Sequence, residues 1–243
     1  MSGFRSSHFM RYIADFHVHS KYSRATSKDL SPVGLFNAAI KKGIDIIGTG
    51  DFTHPQYLQE LKENLVEAHN AEGFFTLKKK QEGKKAPVFV LSQEISCIYS
   101  QGERVRRNHI LITAPDFATV DRIVAILQKV GNLSADGRPI LGIRSDELAK
   151  KLIEINDAIL IIPAHIWTPW FSLFGSKSGF DSVKECFGDT TPHIFAVETG
   201  LSSDPLMNWR ISELDKYAIV SNGDAHSAKK VGREATVYEL AEC

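Results

Sequence analysis

Two histidines one residue apart, His17 and His19, close the run Arg11-Tyr12-Ile13-Ala14-Asp15-Phe16-His17-Val18-His19-Ser20. Tyr12 to Phe16 reads as a short buried strand, so both imidazoles fall where a strand opens into a loop, the usual place for catalytic groups in α/β barrels. The same placement recurs down the chain. Gly43 to Gly50 leads to Asp51 and His54, and Pro87 to Gln93 leads to Glu94. Asn108 leads into His109 at the head of Ile110-Leu111-Ile112, Ala158 to Ala164 leads to His165, and Ala218 to Gly223 leads to Asp224 and His226. Hard carboxylates and neutral imidazoles with almost no thiolate suit several divalent cations held close together, of the zinc, manganese or magnesium kind. One cation needs only three or four ligands. Glu94 takes the bridging role, because a carboxylate can join two cations about 3.5–4 Å apart. Asp51 has the alternative of orienting His54 from behind. His8, His69 and His193 lie outside the strand-end pattern and read as structural or exposed.

The elements that must hold these groups alternate between strand and helix patterns, which predicts an α/β fold without separate domains. Ser31, Pro32 and Gly43 bound a helix over 33–42 with a cap, a first-turn proline and a terminal glycine. Further helices are predicted over 56–70, 116–130, 145–154 and 204–214 from apolar spacing and starting residues. Two stretches break the rhythm. Thr76 to Ala86 carries Lys78, Lys79, Lys80, Lys84 and Lys85 and reads as a solvated loop, with DNA-backbone contact as the minority reading. Ile166 to Gly179 is rich in Trp, Phe, Gly and Ser directly after His165. Trp167, Trp170, Phe171 and Phe174 serve either as a core plug or as a stacking platform for an extruded base, and departure from the metal rim favours the second.

Bulk properties set the bounds. A length of 243 residues with 43% hydrophobic content fits one barrel-sized domain. The 29 basic and 29 acidic residues cancel, so no whole-molecule field attracts a polyanion and any affinity for one must be local. Cys97, Cys186 and Cys243 are too few and too scattered for a disulfide framework or a thiolate zinc site, which suits a reducing cytoplasm. No apolar stretch approaches the roughly twenty residues of a membrane span. Residues 1–9 read as an N-terminal extension or a cloning scar ahead of a domain over 10–243.

In their order, Asp15-Phe16-His17-Val18-His19-Ser20, Gly48-Thr49-Gly50-Asp51-Phe52-Thr53-His54, Glu94, His109, His165 and Gly223-Asp224-Ala225-His226-Ser227 resemble the polymerase and histidinol phosphatase (PHP) superfamily, from Met10 to Leu240. Within it, Tyr22 to Ser27, Gly50 to Pro55, Pro163 to Trp170 and Glu198 to Pro205 are similar to the endonuclease Q group. The resemblance implies a distorted TIM-like (β/α)7 barrel with two or three divalent metals at its C-terminal rim, and cleavage of DNA on the 5′ side of a deaminated base such as uracil or hypoxanthine. It also implies a C-terminal zinc module and helical region, which this chain, ending at Cys243, does not contain. Where many PHP proteins carry an acidic ligand shortly after the paired histidines, this chain has Ala25-Thr26-Ser27, which leaves a third metal short of a ligand.

Metals at such a site neutralise an anionic phosphodiester and lower the pKa of bound water toward ~7. Asp224 is then the group to orient or deprotonate the attacking water, and Arg24 and Arg106 are the candidates to meet the charge on phosphorus. Trp167 and Trp170, with Ser202 or Ser203, are expected to hold the deaminated base. A small-molecule phosphomonoesterase of the histidinol phosphatase type is the alternative, discriminated by an enclosed pocket rather than an open basic groove. A non-catalytic scaffold is the third reading, disfavoured by the nearly full ligand set.

Overall fold

The computed structural model describes residues 9–69, 71–79 and 86–241, so His8, Lys80, Lys84, Lys85 and Cys243 lie outside the described residues. Its strands are β1 (Phe9–Asp15), β2 (Ile46–Gly48), β3 (Leu65–Ala68), β4 (Ala71–Leu77), β5 (Val88–Gln101), β6 (Arg104–Ala114), β7 (Ile140–Leu141), β8 (Leu160–Pro163), β9 (Ala196–Glu198), β10 (Ala218–Val220) and β11 (Thr236–Ala241). The helices are α1 (Pro32–Lys42), α2 (Pro55–Asn64), α3 (Phe117–Leu127), α4 (Ser145–Ile155), α5 (Val183–Phe187) and α6 (Pro205–Asn208). The mixed α/β character expected from the sequence is borne out.

Nine strands form one sheet, in which β1, β2 and β5 run parallel while β6 is antiparallel to both β5 and β8; β9 and β10 form a separate parallel pair. The ladders among the described residues therefore do not close into one ring. Single contacts span the gaps: the Ile166 N–H donates to the Glu198 carbonyl, and Val18 bridges Ala225. No helix among the described residues is long and apolar enough to cross a membrane.

Local chemistry sets the element ends. Ser31 Oγ accepts from the Gly34 N–H at 3.1 Å, and Gly43 closes α1 in the left-handed region, as the sequence predicts. The buried face of α1, with Leu35, Phe36 and Ala39, packs over the sheet, and Phe36 meets Phe89 at 6.4 Å between ring centroids. Burial of Leu35 and of Phe36 contributes about 1.5–3 kcal/mol each. The helix predicted over 56–70 ends instead at Asn64. Leu58, Leu61 and Leu65 are all buried, but Leu65 begins β3, which pairs with β4. Thr76 and Leu77, expected in a loop, belong to that hairpin. The helix expected over 204–214 shrinks to Pro205–Asn208, because Asn208 turns its side chain back onto the Asp204 carbonyl and Ser203 Oγ. The long β5–β6 hairpin, with Ser96 opposite His109, exceeds what the sequence predicts.

Candidate metal centre

The ligand-bearing residues follow the strand ends. His17 and His19 lie just beyond β1, in an extended segment where the His19 N–H donates to the Ala225 carbonyl and the Ala225 N–H to the His17 carbonyl. Residues two apart in an extended segment share a face, so both rings point the same way. Gly50, at φ +65°, lets the chain pass the Val18 carbonyl where a Cβ would lie only 2.3 Å from its oxygen. The next residue, Asp51, is thereby brought against His19.

Four side chains converge first. His17 Nε2 lies 3.3 Å from Glu94 Oε2 and 3.6 Å from Asp224 Oδ1, and His19 Nε2 lies 3.2 Å from each of the same oxygens. A second group shares Glu94: its Oε1 is 2.7 Å from His109 Nδ1 and 3.2 Å from His165 Nε2. Ligand atoms within each group lie within 4.8 Å of one another. Glu94 thus presents one oxygen to each group, the geometry of a bridging carboxylate.

A cation fits this arrangement on two counts. His17 Nε2 is fully buried yet makes no hydrogen bond, an uncommon loss for a polar atom without another partner. Glu94, Asp51 and Glu198 are buried carboxylates whose negative charges need compensation. The donors are imidazole nitrogens and carboxylate oxygens, the set suited to divalent zinc, manganese or magnesium.

Surrounding groups fix the ligands. Both Glu198 oxygens stand 3.0 Å from His17 Nδ1; Oε2 also accepts from the His165 N–H and Oε1 from Asn222 Nδ2, each at 2.8 Å. Asp51 lies 3.2 Å from His19 Nδ1 and accepts from the Ser20 N–H and Ser23 Oγ. A carboxylate behind an imidazole fixes its tautomer and direction. Asp15, buried, accepts from the N–H groups of Gly223 and Gly232 at 2.8 Å and so anchors the loop that carries Asp224 and His226. Its burial pushes its pKa up to about 6.

The electrostatics separate the imidazoles. Burial alone would depress His17, but Glu198 and Glu94 hold it well above the ordinary histidine value. Burial likewise opposes a charge on His19, and Asp224 and Asp51 override it. Burial wins at His109, pushed down to about 4 and hence neutral at pH 7. Burial would also raise Glu94, but His109, His17 and Arg138 hold it well below the usual carboxylate range.

Backbone strain concentrates here. Asp51, His165, Phe171 and Asp224 all have positive φ, with only Ala25 added among non-glycine described residues. Such conformations cost of order 1–3 kcal/mol each and persist where the surroundings impose them. Gly200, at φ +61°, packs so closely that a Cβ would lie 2.4 Å from His165 Cβ.

Of the nine residues expected as ligands, six fall in the two groups: His17, His19, Glu94, His109, His165 and Asp224. Asp51 stands behind His19 rather than His54. His226 packs its ring 4.4 Å from that of His19 and directs Nδ1 to the Asp224 carbonyl. His54 lies outside both groups, stacked on Tyr22, with Nδ1 making no hydrogen bond.

The arginines differ from expectation. Arg106 pairs with Glu185, donates to the Gly179 carbonyl and covers the Phe180 ring, whereas Arg24 is largely exposed and pairs with Asp136. Arg138 reaches the side chains of the cluster, its Nη1 3.3 Å from Glu94 Oε2, while Arg233 donates to the Gly223 and Asp224 carbonyls. Trp167 is half-buried against Phe174 and donates to Asn208 Oδ1, so it serves the loop's own packing. Ser203 is likewise spent, donating to the Thr199 carbonyl and accepting from Asn208. Trp170 and Ser202 are exposed.

Comparison with known proteins bears out the expected likeness. No protein-family model matches the chain. It is 30% identical over 231 residues to YqxK, an uncharacterized protein of Bacillus subtilis, covering 91% of this chain and 56% of that one. It is 33% identical over 156 residues to an uncharacterized protein of Methanocaldococcus jannaschii, covering 64% of this chain and 16% of the relative. Among solved structures it is similar to endonuclease Q in complex with a 27-mer duplex substrate bearing an abasic lesion at the active site. The identity there is 30% and the TM-score 0.80, covering 96% of this chain and 54% of that one. The lesion-specific endonuclease PfuEndoQ from Pyrococcus furiosus gives the same identity and TM-score, with 53% of its chain covered. The chain thus spans about half the length of endonuclease Q and less than two thirds of either curated relative.

Proposed function

We propose that the chain is the catalytic unit of a metal-dependent phosphodiesterase of the endonuclease Q kind, acting on DNA 5′ to deaminated bases such as uracil and hypoxanthine. The observation that carries this reading is Glu94, which offers one oxygen to each of two adjacent ligand groups. The likeness to an endonuclease in complex with a DNA duplex supports DNA as the substrate class. The strand order supports an opened, distorted (β/α)7 barrel, with the β9–β10 pair set in the gap between β8 and β1.

His17, His19, Glu94 and Asp224 would hold one cation, and Glu94, His109 and His165 a second. Divalent cations there would neutralise the phosphodiester and acidify a water molecule. Glu198 and Asp51 hold the rings of His17 and His19 in register for this. Asp224 is the ligand with the more exposed side chain, 29% against 0% for Glu94, and so can receive the proton of a water attacking phosphorus from the solvent side. Arg138 extends a guanidinium beside Glu94 and suits the non-bridging phosphoryl oxygens, whose charge grows as the attacking water adds to phosphorus. His226 and His54 line the same end, and with Asp51 committed to His19, a third cation has fewer free ligands than the resemblance implies.

The test is a nicking assay with duplexes carrying one uracil, one hypoxanthine or one abasic site, beside an unmodified duplex and a phosphomonoester, each with manganese, zinc or magnesium. Nicking at the lesion that Glu94→Gln abolishes and Arg138→Lys weakens through kcat is expected. Hydrolysis of the monoester alone would move the protein to the phosphomonoesterase class.

A further inference from the structure

A cavity of about 580 Å³ lies beside the candidate metal centre rather than in it. It opens between the start of β6 and the loop over 170–181, lined by Arg104, Arg107, Trp170, Lys177, Phe180 and Asp181 among others. Arg106, also in its wall, is neutralised by Glu185. Arg104, Arg107 and Lys177 have no carboxylate partner among the described residues and face only Asp181, in a chain whose net charge is zero. Uncompensated charge gathered on one cleft of a neutral protein marks an anion-binding surface.

The cleft also carries an aromatic wall. Trp170 is 48% exposed, an unusual state for the largest side chain, and the Arg107 guanidinium lies 5.2 Å from its ring centroid. The wall continues into the metal centre. Phe171, in the left-handed region at φ +58°, turns its ring to 4.8 Å from that of His109 and accepts the His109 N–H at 3.0 Å. One strained step thus puts Trp170 on the cleft and Phe171 on the ligand group. The Arg107 N–H donates to the Ser178 carbonyl, which ties the far side of the loop to β6.

From these observations we infer that the cleft is a nucleic-acid subsite: Arg104, Arg107 and Lys177 hold backbone phosphates of the strand flanking the scissile bond, and Trp170 stacks against one of its bases. This rests on the proposed function, and it adds the path by which the strand leaves the metal centre, past His109 and Phe171. Charged groups spaced along a groove with one exposed aromatic are the elements of backbone tracking without sequence readout.

The experiment measures binding separately from chemistry. Fluorescence anisotropy of a labelled uracil-containing duplex, with the full chain in EDTA, is followed from 50 to 300 mM salt for wild type, Arg107→Ala/Lys177→Ala and Trp170→Ala. Each lost phosphate contact should flatten the slope of log K against log salt by about 0.9, so the double variant should fall by about 1.8 and bind about 60-fold more weakly near 0.1 M salt. Trp170→Ala should weaken binding of a single-stranded form about 5- to 150-fold with an unchanged slope. All variants should melt in EDTA like wild type, so that a loss of binding reads the cleft and not the fold. Wild-type slope and affinity in the double variant, or no duplex binding by the wild type, would overturn the subsite. Loss of binding in the variants of a protein that hydrolyses no phosphodiester would support the cleft and overturn the proposed function instead.

Discussion

Replacing Glu198 by glutamine tests whether the metal centre depends on a residue that no cation would touch. The side chain is fully buried and has three partners: the His17 ring, the His165 N–H on Oε2 and Asn222 Nδ2 on Oε1. Glutamine keeps the volume and one carbonyl oxygen, but its NH2 must face either a buried backbone N–H or the Asn222 amide. A hydrogen bond to a charged acceptor is lost and a donor is left unsatisfied, together about 2–4 kcal/mol. For a domain of this size that lowers Tm by roughly 4–16 °C. In the metal-free protein the melt also carries the lost pairing of Glu198 with the His17 ring, so affinity is the sharper readout. With a cation bound, Glu198 would keep the His17 proton on Nδ1 and leave the Nε2 lone pair free for the metal. Losing that carboxylate should cost about 10- to 100-fold in metal affinity, roughly 1.4–2.7 kcal/mol. Competition against a chromophoric chelator reads the affinity, and a melt in EDTA reads the fold. Asp51→Asn, acting on His19, should show the same pattern. Glu198→Gln protein that melts within a degree or two of wild type and binds metal within twofold of it would refute the positioning role.

Asp224→Asn should fold and lose about 10²–10⁴-fold in phosphodiester hydrolysis, because the amide keeps the shape and cannot accept a proton; near wild-type turnover would remove Asp224 from the chemistry. Gly200→Ala puts a Cβ 2.4 Å from His165 Cβ at a positive φ, so it should cost about 2–3 kcal/mol, or roughly 4–12 °C in Tm, and weaken metal binding. An unchanged melt and affinity would show that the loop yields freely. His17 and His19 titrate above their unfolded value in the metal-free protein, so their contribution is full below about pH 6.5 and fades as pH rises through the raised values. Melting in EDTA should therefore fall as pH rises above about 7, while metal affinity rises as the protons to be displaced become fewer. Flat profiles for both quantities would contradict the assigned charges.

What could be read from the sequence follows from which physical rule placed each group. Strand ends were legible, because an apolar run closing on a polar residue is a local pattern; it located His17, His19, Glu94, His165 and Asp224. Glu198 ends the same kind of run, Ile194-Phe195-Ala196-Val197, and so carries the same local signal. The arginines show where pattern stops short of placement. Arg106 and His109 are three apart on β6, so the two-residue period of a strand turns them to opposite faces, while Arg107 shares the face of His109. Strand parity alone, applied to that one segment, would have exchanged Arg106 for Arg107 and directed attention to the cleft. Arg138 had no such signal. It sits in an irregular loop held over the site by the Gly137 N–H on the Tyr22 carbonyl and by Gln93 Nε2 on the Gly137 carbonyl, contacts between segments 44 or more residues apart. The two candidate ligand groups are thus encoded by the local rhythm of the strands, whereas the place of Arg138 beside Glu94 is set by how distant loops pack, and on the proposed function a mutation in that loop should change turnover while leaving the metal in place.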